Sequence, residues 1–152
     1  LADDGIEQFE RHVRVNQTGV FLGMRTVVAA FARTGAGSIV NMSSTVGIRS
    51  APNAIAYTAT KHSVTGLTKA ASLDGRKYNI AVGQIDIGNV ASEMTEKMAA
   101  GILQADGSVR PEDRMDMQAV VDTFMTMVRL PLSANILFTT VMATQMPFVG
   151  RG

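Results

Sequence analysis

The chain has 152 residues, of which 46% are hydrophobic, 5% aromatic and 18% charged; that length predicts about one domain, and that composition excludes a disordered or low-complexity protein. With 14 Lys and Arg against 13 Asp and Glu, the net charge is +1, which gives no electrostatic footing for nucleic acid or an anionic membrane as partner. Cysteine is absent, so disulfides, cysteine-ligated zinc and thiol catalysis are excluded. No apolar run approaches the roughly 20 residues of a membrane-spanning helix and no basic-then-apolar leader opens the chain, so a reducing, cytoplasmic compartment is the expectation.

Taken in order, the apolar residues Phe9, Val13, Val20, Met24, Val27, Val28 and Phe31 recur at steps of three and four, which predicts one long amphipathic helix from about Asp4 to Arg33, bent near Thr18-Gly19. Gly35-Ala36-Gly37 ends it. Ser38 to Ser43 is a β-rich run, and the breakers Gly47 and Pro52 mark a loop from Thr45 to Asn53. Ala54 to about Lys77 is helical, with a stripe of small residues at Ala59, Ser63, Gly66 and Ala70. Asn79 to Ile87 is a second strand, Ser92 to Ile102 a short Met-containing helix or flap, and Ala105 to Pro111 a turn region. Met117, Val120, Val121, Phe124 and Val128 trace a helical face that stops before Pro131; Ile136 to Met142 is a third strand, and an irregular tail follows from Thr144.

Alternating helices and strands predict an α/β protein with a mainly parallel, doubly wound sheet of about three strands flanked by helices. A complete doubly wound sheet has about five strands or more. The chain opens Leu1-Ala2-Asp3-Asp4, without an initiator Met, and the expectation is a single incomplete domain over residues 1–152, either an internal segment of something longer or a chain whose front was lost. The first strand then stands at an edge that another chain or a preceding segment must cover.

Tyr57 and Lys61 stand four apart on the second helix and share a face, and Ser44 lies 13 residues before Tyr57, at the carboxyl end of the first strand. Ligand sites of open α/β sheets form outside that end. Asn16 lies on the first helix near its bend. The segments Asn16-Gln17-Thr18-Gly19-Val20-Phe21, Ile39-Val40-Asn41-Met42-Ser43-Ser44 and Ala56-Tyr57-Thr58-Ala59-Thr60-Lys61 resemble the short-chain dehydrogenase/reductase family. The likeness runs from the first helix to at least Glu93 and corresponds to the carboxyl-terminal, catalytic part of a member, with a Rossmann-like fold.

That resemblance implies hydride transfer between NAD or NADP and a small-molecule carbonyl/alcohol substrate. The reaction needs a proton delivered to or taken from the substrate oxygen; an ordinary phenol titrates near about 10, and a neighbouring ammonium favours its anion. Tyr57 is therefore the expected acid/base and Lys61 its electrostatic partner and the holder of the nicotinamide ribose. Ser44 would donate to the substrate oxygen, with Ser43 the alternative serine at that strand end. Asn16 would fix a water linking the lysine to solvent, or satisfy backbone groups freed by the helix bend. Gly88, Val90 and Ser92 fall where the family contacts the nicotinamide carboxamide, although Ile87 replaces the family's proline and leaves φ unfixed there; Gly88 and Asn89 also suit a plain turn.

Met94, with Met98 and Ile102, lies in the flap that closes over substrate in the family, so Met94 is a substrate-site candidate, against simple packing. His12 and His62 have no partners at metal-ligand spacing, and no metal is expected. Glu112, Asp113 and Asp116 read as charges complementing the first turn of the helix that follows. The family's strand–Gly-x-x-x-Gly-x-Gly–helix opening is missing: Gly35-Ala36-Gly37 follows a helix and precedes a strand. Taken by itself, the chain is then expected to bind a dinucleotide poorly or not at all. The competing expectations are a catalytically silent fragment acting as an oligomerisation or binding module and a redox sensor without turnover. The family also implies a homodimer or homotetramer, paired through the first helix and the Tyr-Lys helix.

Overall fold

A computed structural model of the chain describes residues 5–149. The predicted first helix runs one residue past its expected end at Arg33, but not as one regular element. α1 (Ile6–His12) passes through a π-helical turn (Val13–Thr18) into α2 (Gly19–Thr34). The irregularity thus begins a turn before the expected bend at Thr18-Gly19, and a Cβ at Gly19 would meet only Arg14 O at 3.7 Å, an ordinary contact. The predicted start at Asp4 lies outside the described residues. α2 stops where Gly35 adopts φ 78° and returns its N–H to Phe31 O at 2.8 Å, the left-handed closure that glycine makes without strain.

β1 (Gly37–Ser44) leads through a tight turn (Thr45–Gly47) and a loop to α3 (Ile55–Asp74), and β2 (Ile80–Ile87) returns antiparallel to α3 and parallel to β1. After β2 come a short turn (Glu93–Thr95), α4 (Glu96–Ala100), the strands β3 (Ile102–Leu103) and β4 (Val109–Arg110), α5 (Met117–Arg129) and β5 (Phe138–Val141). The flap is therefore shorter as a helix than predicted. It breaks at Gly101, with φ 141°, into an antiparallel hairpin pairing Ile102 with Arg110, so the expected Ala105–Pro111 turn is the hairpin's tip and its returning strand. The third predicted strand is trimmed at both ends, although Leu137 O already accepts Gln84 N–H at 3.0 Å.

The sheet is three-stranded and parallel, in the order β1-β2-β5, so the chain is an α/β protein of the expected class. β2 is central and buried almost throughout, as a strand covered on both faces must be. Period-two alternation divides its side chains. One face carries Ile85 into an apolar cluster with Val90, Val120 and Met127, against which Val40, Ile87, Met115 and Ile136 pack. The other face carries Ile80, Val82, Gln84 and Asp86 beneath α3. Among the described residues nothing pairs with the outer edge of β1.

The small-residue stripe of α3 does not face the sheet. Thr60, Val64 and Thr68 do, while Ala59, Gly66 and Ala70 are exposed. Glycine is required at Gly83, where a Cβ would collide with Ile136 O and come within 3.0 Å of Met127 Cε. Gly83→Ala is expected to destabilise the protein by about 1–3 kcal/mol, because a backbone carbonyl cannot move aside. Gly66→Ala, with open space around it, is expected to stabilise it by up to about 1 kcal/mol. Urea unfolding of the two variants gives opposite shifts if the packing is as described.

Candidate active site

The first two turns of α3 carry Tyr57 and Lys61 and lie against the carboxyl end of β1, the strand that ends in Ser44. Tyr57 and Lys61, one helical turn apart, stack so that Lys61 Nζ lies 5.6 Å from the centre of the Tyr57 ring. Lys61 reaches across to β1 and donates to Met42 O at 3.3 Å. Ser44 ends the same strand two residues later, and its Oγ accepts the Val46 N–H at 3.3 Å, capping the turn that follows. Alternation along β1 places the Ser43 side chain beneath α3 with Asn41 and turns that of Ser44 to the opposite face. Gly47 allows this turn to press against α3: a Cβ there would lie 2.9 Å from both Lys61 O and Ser43 Oγ.

Asn16 is in the π-helical turn, where one extra residue widens the backbone spiral. Its Nδ2 donates to Thr60 Oγ1 at 3.3 Å, and Thr60 Oγ1 donates in turn to Tyr57 O at 2.9 Å. Of the two expected uses of its side chain, satisfaction of its own helix's backbone is replaced by a bond to the helix of Tyr57 and Lys61. His12, one turn earlier, meets Tyr57 edge to face at 6.3 Å, and His62 is exposed, its Nδ1 against Thr58 O. Among the described residues no group of three or more His, Asp and Glu is placed to hold a metal.

The residues expected at the carboxamide, Gly88, Val90 and Ser92, each make contacts within the chain. Gly88 is needed for packing, since a Cβ would sit 2.8 Å from Met142 Cβ and 2.9 Å from Met146 Sδ. Val90 O accepts the Thr95 hydroxyl, and its strand-like bridge to Met115 anchors the loop. The Ser92 hydroxyl faces Thr95 Oγ1 at 3.2 Å, in a capping box that starts the flap. Met94, at the head of the flap, is 91% exposed.

Sequence reasoning missed two groups. Glu112, expected as a first-turn charge, is buried and accepts Asn89 Nδ2 at 2.8 Å and Gln104 Nε2 at 3.2 Å, joining the loop after β2 to the hairpin. Asp116 alone caps α5, accepting Gln118 N–H at 2.7 Å. The second group is a buried polar chain under α3. Asn41 Nδ2 donates to Thr68 Oγ1 at 2.8 Å, Thr68 Oγ1 to Gln84 Oε1 at 3.0 Å, and Gln84 Nε2 to Thr65 Oγ1 at 3.0 Å and Asp86 Oδ1 at 2.8 Å. Its signal was available: polar residues at two-residue spacing in strands that otherwise read as apolar.

Burial pulls the Lys61 ammonium below the ordinary lysine range, and the charge of Asp86 opposes that pull. Burial raises the Asp86 carboxyl above the usual carboxylate range, against the hydrogen bond from Gln84. Ser43 Oγ makes no hydrogen bond of ordinary length and angle, yet it lies close enough to Asp86 to favour the charged form.

With this geometry in place, the comparisons are specific. The short chain dehydrogenase family model matches residues 2–102, and the chain belongs to that family. It is 38% identical over 104 residues to trans-4-hydroxycyclohexanecarboxylate dehydrogenase of Sinomonas cyclohexanicum, covering 68% of this chain and 40% of that one. It is 38% identical over 110 residues to cyclopentanol dehydrogenase of Comamonas testosteroni, covering 72% and 42%. The chain thus spans about two-fifths of the length of these relatives. Acetoin dehydrogenase of Enterobacter cloacae superposes with a TM-score of 0.77 at 24% identity, over 93% of this chain and 56% of that one. The closed form of a serine dehydrogenase complexed with NADP+ gives 0.82 at 19%, over 98% and 61%. These likenesses establish the Rossmann-like fold.

Because folded Lys61 holds its proton less tightly than the unfolded chain does, the unfolded state binds more protons between the lowered and the ordinary pKa. Stability carried by Lys61 therefore rises with pH across that window. The melting temperature of the wild type is expected to gain on that of Lys61→Met as the pH rises towards the ordinary lysine value of 10.5, followed by circular dichroism; a constant difference would mean that burial leaves the ammonium unperturbed.

Proposed function

We propose that the chain carries the catalytic part of a cytoplasmic short-chain dehydrogenase/reductase acting on a carbonyl/alcohol pair with NAD or NADP. Support comes chiefly from Lys61: a half-buried ammonium drawn to Met42 O, held over the Tyr57 ring and braced through Thr60 by Asn16. The donor set suits the nicotinamide–ribose end of the dinucleotide. An ammonium has three protons, and the one given to Met42 O leaves two for a vicinal diol. The pyrophosphate end finds no such fit, since Gly35-Ala36-Gly37 opens β1 at the far end of the sheet and Gly37 is backed by the Phe31 ring.

When bound, the cofactor supplies or accepts the hydride. The Tyr57 hydroxyl gives a proton to the carbonyl oxygen in reduction and takes it back in oxidation. The positive charge of Lys61 stabilises the phenolate left behind. Ser44 donates to the substrate oxygen as negative charge gathers there, once its Oγ turns from the Val46 N–H. Val90 and Ser92 hold the carboxamide side, and Met94, on an exposed flap, closes over the apolar part of the substrate.

A second role rests on a separate observation. An apolar groove of about 360 Å³ between α2 and α3, lined by Phe21, Met24, Val28, Leu67 and Tyr78, lies open, with Phe21 48% and Leu22 49% exposed. The exposed small-residue stripe of α3 continues it. We assign this face to pairing of copies into a homodimer or homotetramer, the arrangement that a catalytically silent fragment would also use.

Two of the relatives are named for ring alcohols, so cyclopentanol and cyclohexanol are the first substrates to try. In the longest polypeptide that carries this sequence, Tyr57→Phe is expected to lower turnover by about 10² or more, read from NAD(P)H absorbance; full activity in that variant would overturn the assignment. Phe21→Asp is expected to shift the protein towards monomer in sedimentation velocity without changing its circular dichroism.

A further inference from the structure

The face of β2 beneath α3 carries a carboxylate that the chemistry above does not use. Asp86 is 2% exposed, stands across from Ser43 in the β1–β2 register, and accepts Gln84 Nε2 on Oδ1 at 2.8 Å. It also lines a cavity of about 340 Å³ between α3 and β5, together with His62, Thr65, Lys69 and Thr140. A carboxylate so buried is costly unless it is protonated or answers a cation.

The groups that face it come from every element around it. α3 presents Lys61, His62 and Lys69; β1 presents Ser43; β2 itself presents Gln84; β5 presents the uncharged Thr139 and Thr140. His62 and Lys69 are exposed at the cavity mouth, where water screens them. Lys61 is half-buried and reaches the sheet at Met42 O, next to the strand partner of Asp86.

We propose that Asp86 is a positioning residue whose carboxylate keeps Lys61 as an ammonium beside Tyr57. The proposal rests on the Tyr57–Lys61 assignment and adds a residue to it. Burial alone pushes Lys61 towards the neutral amine, which would no longer favour a phenolate. A negative charge under the helix opposes that push through space, without displacing the bond to Met42 O. A purely structural Asp86, serving only to accept from Gln84, would be replaced without electrostatic consequence by the carboxamide oxygen of Asp86→Asn.

The test is an NMR titration of the full 152-residue chain labelled with ¹³C-lysine and ¹³C-aspartate, with the Lys61 Cε signal assigned from Lys61→Arg. In Asp86→Asn the Lys61 midpoint is expected to fall by about one pH unit, and Asp86→Glu is expected to restore most of it. In the wild type the Lys61 signal is expected to show a second, small step on the acid side, where Asp86 takes its proton above the ordinary carboxylate range. Identical Lys61 titrations in wild type and Asp86→Asn would overturn the proposal. Should Asp86→Asn fail to fold, a wild-type Lys61 signal that is flat through the Asp86 titration would do the same. The titration needs neither cofactor nor turnover, so its failure leaves the role of Tyr57 standing. Activity retained in Tyr57→Phe would instead remove that role and leave the Asp86–Lys61 coupling measured.

Discussion

Between α3 and the sheet, Asn41, Thr68, Gln84, Thr65 and Asp86 form a chain of hydrogen bonds in a layer that water does not reach freely. Apolar contacts alone tolerate a helix that slides or rotates, because burial is roughly proportional to area and has no direction. Donors and acceptors do not, since a small displacement leaves a buried polar group unpaired at a cost of about 1–3 kcal/mol. The chain therefore holds α3 at one height and one rotation over β1 and β2. Tyr57 and Lys61 inherit that setting from the same helix, and Lys61 reaches Met42 O because of it.

The two faces of the sheet differ in the kind of contact they make. Against α5 lies an apolar cluster around Ile85, Val120 and Met127, which supplies ordinary hydrophobic stabilisation. Against α3 lie polar side chains, whose net contribution is smaller and whose geometry is stricter. Both layers end at the carboxyl ends of the strands, where Ser44, the Gly88–Ser92 loop and the flap gather. Glu112 ties two of these segments together by taking one bond from Asn89 and one from Gln104. The site therefore stands on several elements that are fixed to each other by polar bonds.

Much of this was legible in the chain. Each of the three strands of the parallel sheet was placed to within about two residues, because short β-rich runs bounded by Gly, Asn and Pro leave few alternatives; the two short strands of the hairpin were not placed. The Tyr57–Lys61 pair was legible for a simple reason: four residues along a helix is one turn, whatever the helix packs against. The π-helical turn was not, because whether such a turn forms depends on what its side chains meet elsewhere in the fold, here Thr60 on another helix, which accepts from Asn16 Nδ2. The flap's break into a hairpin turned on Gly101 adopting φ 141°, a freedom that glycine always has and that only the surroundings call upon.

What the linear chain determined by itself was the alternation of elements, the parallel sheet and the family motifs, all of which depend on local periodicity and on residue types at fixed spacing. What the tertiary structure decided was which polar residues meet. Asn41 and Gln84, Lys61 and Met42, Asn16 and Thr60, and Glu112 and Asn89 come from distant segments, and no spacing along the chain encodes their contact. The physical reason lies in register: side chains alternate across each strand, so pairing Ser43 with Asp86 chose at once which polar groups went under α3. A slip of one residue would have sent the carboxylate to the apolar face instead.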